Sequence, residues 1–323
     1  YIIMYNKKNK SSVNITINNR KYNLGKSKLG SGSFGEILKC KKKSYNRHPN
    51  TFACKLMKPP KKQIELFIDE YNIMKLIGPH RNIVKLVDIY TQNPAVIVLE
   101  YCKYGSLLDQ LIKRYNRRPT ILYNFKTKRG KTNYSILYDI CNGLSHLHNK
   151  NIIHRDLSSR NILLHSNKNA KISDFGLSKK LNDTTLYYID EFQDKLAIKW
   201  MAPEVICKIF YKSSDIWSLG NIIYEISTNG LEPYFDIEIQ DYKKSIKTIE
   251  KKCKLCSNPS FNKLCIDENQ SLVDNLLEEI DTPLEIQNLM KHCFLINSFK
   301  RPTINMIKNY LKIYNIKQTW LGT

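Results

Sequence analysis

The stretch IIHRDLSSRNILL, Ile152–Leu164, sets Asp156 and Asn161 five residues apart, with Arg155 and Arg160 beside them, between two apolar runs. An aspartate can accept or orient a hydroxyl proton, and an amide oxygen can bind a divalent cation. A second aspartate, Asp174 of Asp174–Phe175–Gly176, follows eighteen residues after Asp156 and can bridge metal to phosphate oxygens. Upstream, LGSGSFGEI (Leu29–Ile37) fits G-x-G-x-x-G followed by an apolar residue. Glycines let backbone amides approach phosphates closely, although the pattern alone also describes an ordinary hairpin turn. Lys55 comes 25 residues after Gly30, and Glu70 a further 15 residues on, a cation and a carboxylate that can fix it. Taken singly, each acid reads equally as a cap or turn residue, and each lysine as a solvated charge. Taken in order, they supply what phosphoryl transfer needs, positioned oxygens and cancelled charge.

The elements that must hold these residues follow from periodicity. Residues 1–19 are polar and expected as an arm or linker. Tyr22–Leu99 is strand-like, interrupted by a helix over Gln63–Ile77 in which Ile64, Phe67, Ile68, Tyr71 and Met74 recur at helical spacing before Gly78–Pro79 ends it. ILKCKKK after the glycines reads as a strand, so the loop caps a hairpin and a Rossmann turn, which needs a helix there, is excluded. Beyond Gly105 the texture is helical. Ile136, Leu137, Ile140, Leu144 and Leu147 line one helix, and Ile216, Leu219, Ile222, Ile223 and Ile226 another, with later helices around Pro283–Phe294 and Thr303–Tyr314. Residues 240–280 read as a charged, loop-rich insertion with one helix. The expected class is α+β: a small β-rich lobe with one main helix over about 20–99, a connection at 100–105, a larger α-helical lobe over about 106–316, and a tail at 317–323. A ligand cleft is expected between the lobes.

Composition bounds the rest. The chain has 323 residues, 42% hydrophobic, enough for one large two-lobed domain. No apolar run approaches the roughly 18 to 20 residues that span a bilayer. The expected location is cytoplasmic, either free or, since a chain opening at Tyr1 looks truncated, as the intracellular part of a membrane protein. Nine scattered cysteines suggest reduced thiols; Cys253, Cys256 and Cys265 have zinc-like spacing but no well-spaced fourth ligand. The net charge of +23 rests mostly on lysine, since only ten of the 52 basic residues are arginine. Lys113–Lys131 carries eight basic residues and no acid, which reads as a solvated loop or as a docking patch for an acidic partner or membrane lipid. It lacks the interleaved aromatics of a single-strand binder, and no specific nucleic acid is expected. Oligomeric state is not legible.

From Tyr22 to Tyr314 the sequence resembles a eukaryotic protein kinase. The motifs are Gly30-x-Gly32-x-x-Gly35, Lys55, Glu70, His154–Arg155–Asp156, Asn161, Asp174–Phe175–Gly176, Ala202–Pro203–Glu204, Asp215 and Arg301. The resemblance implies ATP and Mg²⁺ as cofactors. ATP would meet Leu29, Gly30, Ser31, Gly32, Ser33, Phe34, Gly35 and Ile37 of the loop, with Lys55 on its phosphates and Asn161 and Asp174 on the metal. Glu100–Tyr101–Cys102 would be the hinge that pairs with adenine, Leu99 the gatekeeper, and Ala53 and Leu163 the roof and floor of the adenine pocket. Glu204 and Arg301 would form a structural ion pair.

The finer resemblance is to tyrosine kinases and the tyrosine-kinase-like group. Ser158 stands where many serine/threonine kinases carry lysine, and Arg160 is the arginine that receptor-type tyrosine kinases place four residues after the catalytic Asp156. LAIKWMAPE (Leu196–Glu204) resembles a tyrosine-kinase substrate platform, with Ile198 and Trp200 as its apolar wall. Departures are Ser158–Ser159 in place of small alanines, Ala197 in place of proline, Phe294 in place of tryptophan, and the long insertion. Tyr187 and Tyr188 resemble activation-loop phosphosites, with tyrosines that merely pack as the plainer reading. The expected function is transfer of the ATP γ-phosphate to tyrosine hydroxyls of protein substrates, acidic ones fitting the basic chain. The alternatives are a serine/threonine or dual-specificity kinase, a pseudokinase that holds nucleotide without transfer, and a basic scaffold.

Overall fold

The computed structural model describes residues 13–17, 20–32, 35–42, 51–57, 62–91, 95–116, 133–182, 187–189, 197–233, 280 and 282–320. Ser33 and Phe34, the basic stretch from residue 117 to 131, and the expected insertion with Cys253, Cys256 and Cys265 lie outside the described residues, as does the side chain of Ile198.

The small lobe is a six-stranded antiparallel sheet: β1 (Val13–Ile17), β2 (Arg20–Gly32), β3 (Gly35–Lys42), β4 (Thr51–Met57), β5 (Leu86–Tyr90) and β6 (Val96–Glu100), in the order β1-β2-β3-β4-β6-β5. Helix α1 (Lys62–Ile77) joins β4 to β5. Side chains alternate across each strand. One face sends Cys54, Val96 and Val98 into a core with Tyr22, Leu24 and Cys40, and the other sends Met57 and Ile97 against Phe67 of α1. Lys55 shares the parity of Met57, so it too faces α1. The polar arm expected up to residue 19 contains β1, which pairs with β2 from Val13↔Leu24 to Ile17↔Arg20. Alternation in VNITI is the signal for that strand. Cys40 and Cys54 form a disulfide between β3 and β4, with Cα atoms 6.2 Å apart. This corrects the expectation of reduced thiols: strand register brings together two residues whose linear spacing looks accidental. Cys102, Cys141 and Cys293 are free and buried.

The large lobe holds α2 (Leu107–Tyr115), α3 (Asn133–Asn149), α4 (Lys212–Ser227), α5 (Leu284–Cys293) and α6 (Ile304–Trp320). Short strands β7 (Ile152–Ile153), β8 (Ile162–Leu164), β9 (Ala170–Ile172), β10 (Lys179–Lys180), β11 (Tyr187–Ile189) and β12 (Ile209–Tyr211) form three two-stranded ribbons, β7 with β10, β8 with β9 and β11 with β12. Ser106 starts α2 through a reciprocal cap with Asp109. The predicted apolar face of α3 is buried throughout, and every residue of α4 from Ser214 to Ile226 is buried, so α4 runs through the middle of the lobe. Helix α6 continues six residues past the expected Tyr314. Phe294 packs edge-on to Trp217 at 5.0 Å and over Gly220, where a Cβ would meet its ring at 2.8 Å. The smaller ring therefore fits the departure from tryptophan. Arg301 meets Glu204 with two parallel bonds of 2.6 and 2.8 Å, as the resemblance implies.

The loop after α1 stitches the lobes. Val84 N donates to Ile172 O and Ile172 N to Asn82 O, each at 2.9 Å. Gly143 of α3 admits this close approach, since a Cβ there would lie 2.6 Å from Asn82 O. Within the basic stretch, Arg114 turns inward from α2, donating to Asn133 Oδ1, Asn229 Oδ1 and Ile226 O, so it is no part of a docking surface. Among the described residues no helix is long and apolar enough to cross a membrane.

Candidate active site

Lys55 Nζ, on β4, donates to both carboxylate oxygens of Glu70 at 2.8 Å, and to Asp174 Oδ1 at 3.0 Å. Burial disfavours the charged ammonium, but the Glu70 and Asp174 carboxylates outweigh it, so the Lys55 pKa is raised and the charge persists. Burial pushes the Glu70 carboxyl up, with Lys55 pulling against it. Asp174 is also raised by burial, but Lys55 and the Gly176 amide hold it below its ordinary value. Asp174 has φ 61°, a strained conformation for a non-glycine residue that turns its carboxylate toward Lys55. Phe175 beside it is buried against His154, with ring centroids 5.3 Å apart.

Asp156 lies in the loop between β7 and β8. Arg160 donates to its Oδ1 at 2.5 Å, and the Asn161 amide nitrogen donates to its Oδ2 at 2.8 Å and to its carbonyl at 2.7 Å. With that nitrogen consumed, Asn161 has its amide oxygen to offer a cation. Asn161 is itself held by Ser173, whose N–H and hydroxyl both donate to Asn161 O, at 2.9 and 2.8 Å. The two candidate metal ligands, thirteen residues apart, are thereby tied into one strand pair, β8 with β9. The Arg160 guanidinium lies 5.1 Å from the centroid of Trp200, so the platform and the catalytic loop touch.

The glycine loop is a hairpin, with Gly32 opposite Gly35 and Gly30 opposite Ile37. Its glycines serve different ends. A Cβ at Gly35 would strike Leu56 O, whereas one at Gly30 would meet nothing within 4 Å, which leaves room for a ligand under the strand. Leu29 is exposed at the same edge. Ala53 pairs with Leu99 across β4 and β6. Leu163, on β8, is bridged to Ser106 just after the connection between lobes, and Tyr104 N donates to Leu164 O at 3.1 Å. Glu100 turns its carboxylate away to Lys171 Nζ at 2.8 Å and Lys85 N at 2.6 Å, so any pairing with a base would fall to the backbone of Glu100 and Cys102. These features fit a nucleotide with a divalent cation: the Lys55 cation on the strand paired with the glycine hairpin, and the Asn161 amide and Asp174 carboxylate as oxygen ligands.

Helix α4 contributes a polar row that apolar periodicity conceals. Asp215 accepts from His154 N, Arg155 N and His148 Nε2 at 2.9, 3.0 and 2.9 Å. Burial pushes its carboxyl up, but these bonds hold it below the ordinary value. Ser218 and Asn221 donate to Trp200 O at 3.0 and 3.1 Å, and Glu225 accepts from Ser159. Of these only Asp215 is legible in the sequence, through the kinase motif. The spacing 215, 218, 221, 225 is helical and was the available signal for the others.

Tyr188 lies inward on β11, its ring centroid 5.1 Å from the Arg155 guanidinium and 6.0 Å from Lys179 Nζ, while Tyr187 is exposed. Arg155 also sits over Phe210 at 4.2 Å and has φ 72°.

A sequence model of the family described as protein tyrosine and serine/threonine kinase matches residues 24–311. The tyrosine-protein kinase Abl of Drosophila melanogaster is 32% identical over 293 residues, which is 89% of this chain and 15% of that relative. The chain thus spans a small part of the length of the relative it matches.

Proposed function

The chain belongs to the protein tyrosine and serine/threonine kinase family, and on that premise we propose that it transfers the γ-phosphate of ATP to tyrosine hydroxyls of protein substrates. The observation that carries the reading is the intact set around Asp156: its two carboxylate oxygens held by Arg160 and Asn161, beside the Lys55–Glu70–Asp174 group. Asp156 would orient the attacking hydroxyl and take its proton. Lys55, kept charged, would hold the α- and β-phosphates, and Glu70 would keep it in place. Asn161 and Asp174 would hold Mg²⁺, which when bound supplies charge neutralisation at the transferred phosphoryl group. Leu29, Ala53, Leu99 and Leu163 would enclose the base.

Tyrosine specificity is supported by Arg160 over Trp200, a cation and a flat wall set where a phenol ring can lie. Activation by phosphate on the β11 tyrosines is supported by the two cations around Tyr188. A basic chain suits acidic protein substrates, and use of ATP suits the cytoplasm.

The test is phosphoamino-acid analysis after incubation with labelled ATP and Mg²⁺, with Asp156→Asn as control. Label on tyrosine, lost in the control, is the expected result. Label confined to serine or threonine would move the chain to the other specificity and leave the nucleotide site intact. No label on the chain or on an added peptide would favour a pseudokinase.

A further inference from the structure

Ser159 departs from the small alanine of the kinases this chain resembles, and the departure has a partner. Its hydroxyl donates to Glu225 Oε1 at 2.7 Å, and its backbone N–H donates to Glu225 Oε2 at 2.9 Å. Ser159 is fully buried and Glu225 is 1% exposed. An alanine would keep the backbone bond and lose the other, leaving a buried carboxylate oxygen with one donor fewer. Burial raises the Glu225 carboxyl, and the two bonds from Ser159 pull it back toward the charged form, with the Trp200 side chain and then Arg160 assisting.

The position of this pair decides what it can affect. Ser159, Arg160 and Asn161 form one turn of 3-10 helix. Arg160 reaches from it to Asp156 on one side and to Trp200 on the other. Trp200 is held through its carbonyl by Ser218 and Asn221, and the turn is held through Ser159 by Glu225, all on α4. One helix thus fixes both the backbone of Trp200 and the turn that carries Arg160. Asn161, the last residue of the turn, is held independently through its carbonyl by Ser173, and the Lys55–Glu70–Asp174 group rests on β4, α1 and the segment after β9.

We propose that the Ser159 hydroxyl and the Glu225 carboxylate are a positioning pair that sets Arg160 against Asp156 and Trp200, and so governs the protein-substrate side of the site more than the nucleotide side, where Asn161 of the same turn has its own tie to Ser173. The proposal rests on the kinase reading above.

The experiment takes Ser159→Ala, Glu225→Gln and the double variant in the full chain, with a tyrosine-containing peptide and Mg·ATP in steady state. Ser159→Ala should lower kcat/KM for the peptide about tenfold, the size expected for one hydrogen bond to a charged group. The KM for ATP should stay within about twofold. The double variant should be little worse than the worse single one, as for two halves of one interaction. A peptide kcat/KM unchanged in Ser159→Ala, additive effects, or an equal loss on the ATP side would each overturn the pair. Amide hydrogen exchange of the 159–161 turn gives a readout independent of turnover. Exchange should quicken about tenfold in Ser159→Ala while the amides of α4 keep their protection. If the parent chain transfers no phosphate, the kinase reading fails, and unchanged exchange in the turn would separately overturn the pair.

Discussion

Lys55 carries a buried charge that two carboxylates favour more than burial disfavours it. Replacing it by Met should reduce phosphate transfer by at least about 100-fold, the scale for losing a preorganised charge at a reacting phosphate. It should also lower the thermal midpoint, because the buried Glu70 carboxylate then loses its cation with Asp174 close by. A radiometric transfer assay and a melting curve on the same preparation check both; an unchanged rate would refute the role given to Lys55. Lys55 and Glu70 were legible because each obeys a local rule, a strand residue followed by a helix residue at fixed distance. Lys171 was not legible. It reads as one lysine among many, and only the pairing of β9 behind the hinge brings it to Glu100. Arg114 misled in the opposite direction, for a charge run says nothing of which member faces in. Its spacing from Leu107 and Leu111 along α2 carries that information, since all three share one helical face.

At the scale of the element, β11 turns two adjacent tyrosines into different residues. Pairing of Tyr187↔Tyr211 and Tyr188↔Phe210 sends one ring outward and the other against Arg155. Phosphate added to Tyr188 would enter a setting of two cations, whereas phosphate on Tyr187 would enter solvent. Tyr188→Phe should therefore abolish the gain in activity that follows preincubation with ATP, and Tyr187→Phe should retain most of it. Equal activation of both variants would refute the assignment. Linear order alone does not choose between them, because the choice depends on which face of β11 meets β12. The loop after α1 poses a different problem. His80 and His146 stack with centroids 4.5 Å apart, and His80 Nδ1 accepts from Asn82 N, which requires the unprotonated ring. Burial first, then His146, Lys171 and Lys308, holds the His80 pKa below its ordinary 6.5. A depressed folded value means that stability is complete above 6.5 and declines as pH falls below it toward the folded value. The melting temperature should fall with acidification over that range, and less steeply in His80→Gln, whose amide oxygen can still accept from Asn82.

Across the whole molecule, the two lobes followed from composition and periodicity, while the ties that make them one body did not. Arg301 shows the difference. Its ion pair with Glu204 was implied by motif, but its further bonds to Leu295 O, Ser213 O and Ile296 O close the large lobe from four directions. The guanidinium is fully buried, so Arg301→Ala should cost about 3 to 5 kcal/mol in denaturant unfolding. A loss below about 1 kcal/mol would show the pair to be dispensable. The polar row of α4 has a consequence in time. His154, Arg155 and Ser159 are fastened by residues 61, 60 and 66 positions further along the chain, and Glu204 is closed by one 97 positions later. A chain made from its amino end completes the small lobe and its Lys55–Glu70 pair long before α4 leaves the ribosome. Until then the Asp156 loop has Ser173 and Leu177 to lean on but not α4, and the nascent chain carries a charged Lys55–Glu70 pair beside an unfinished site.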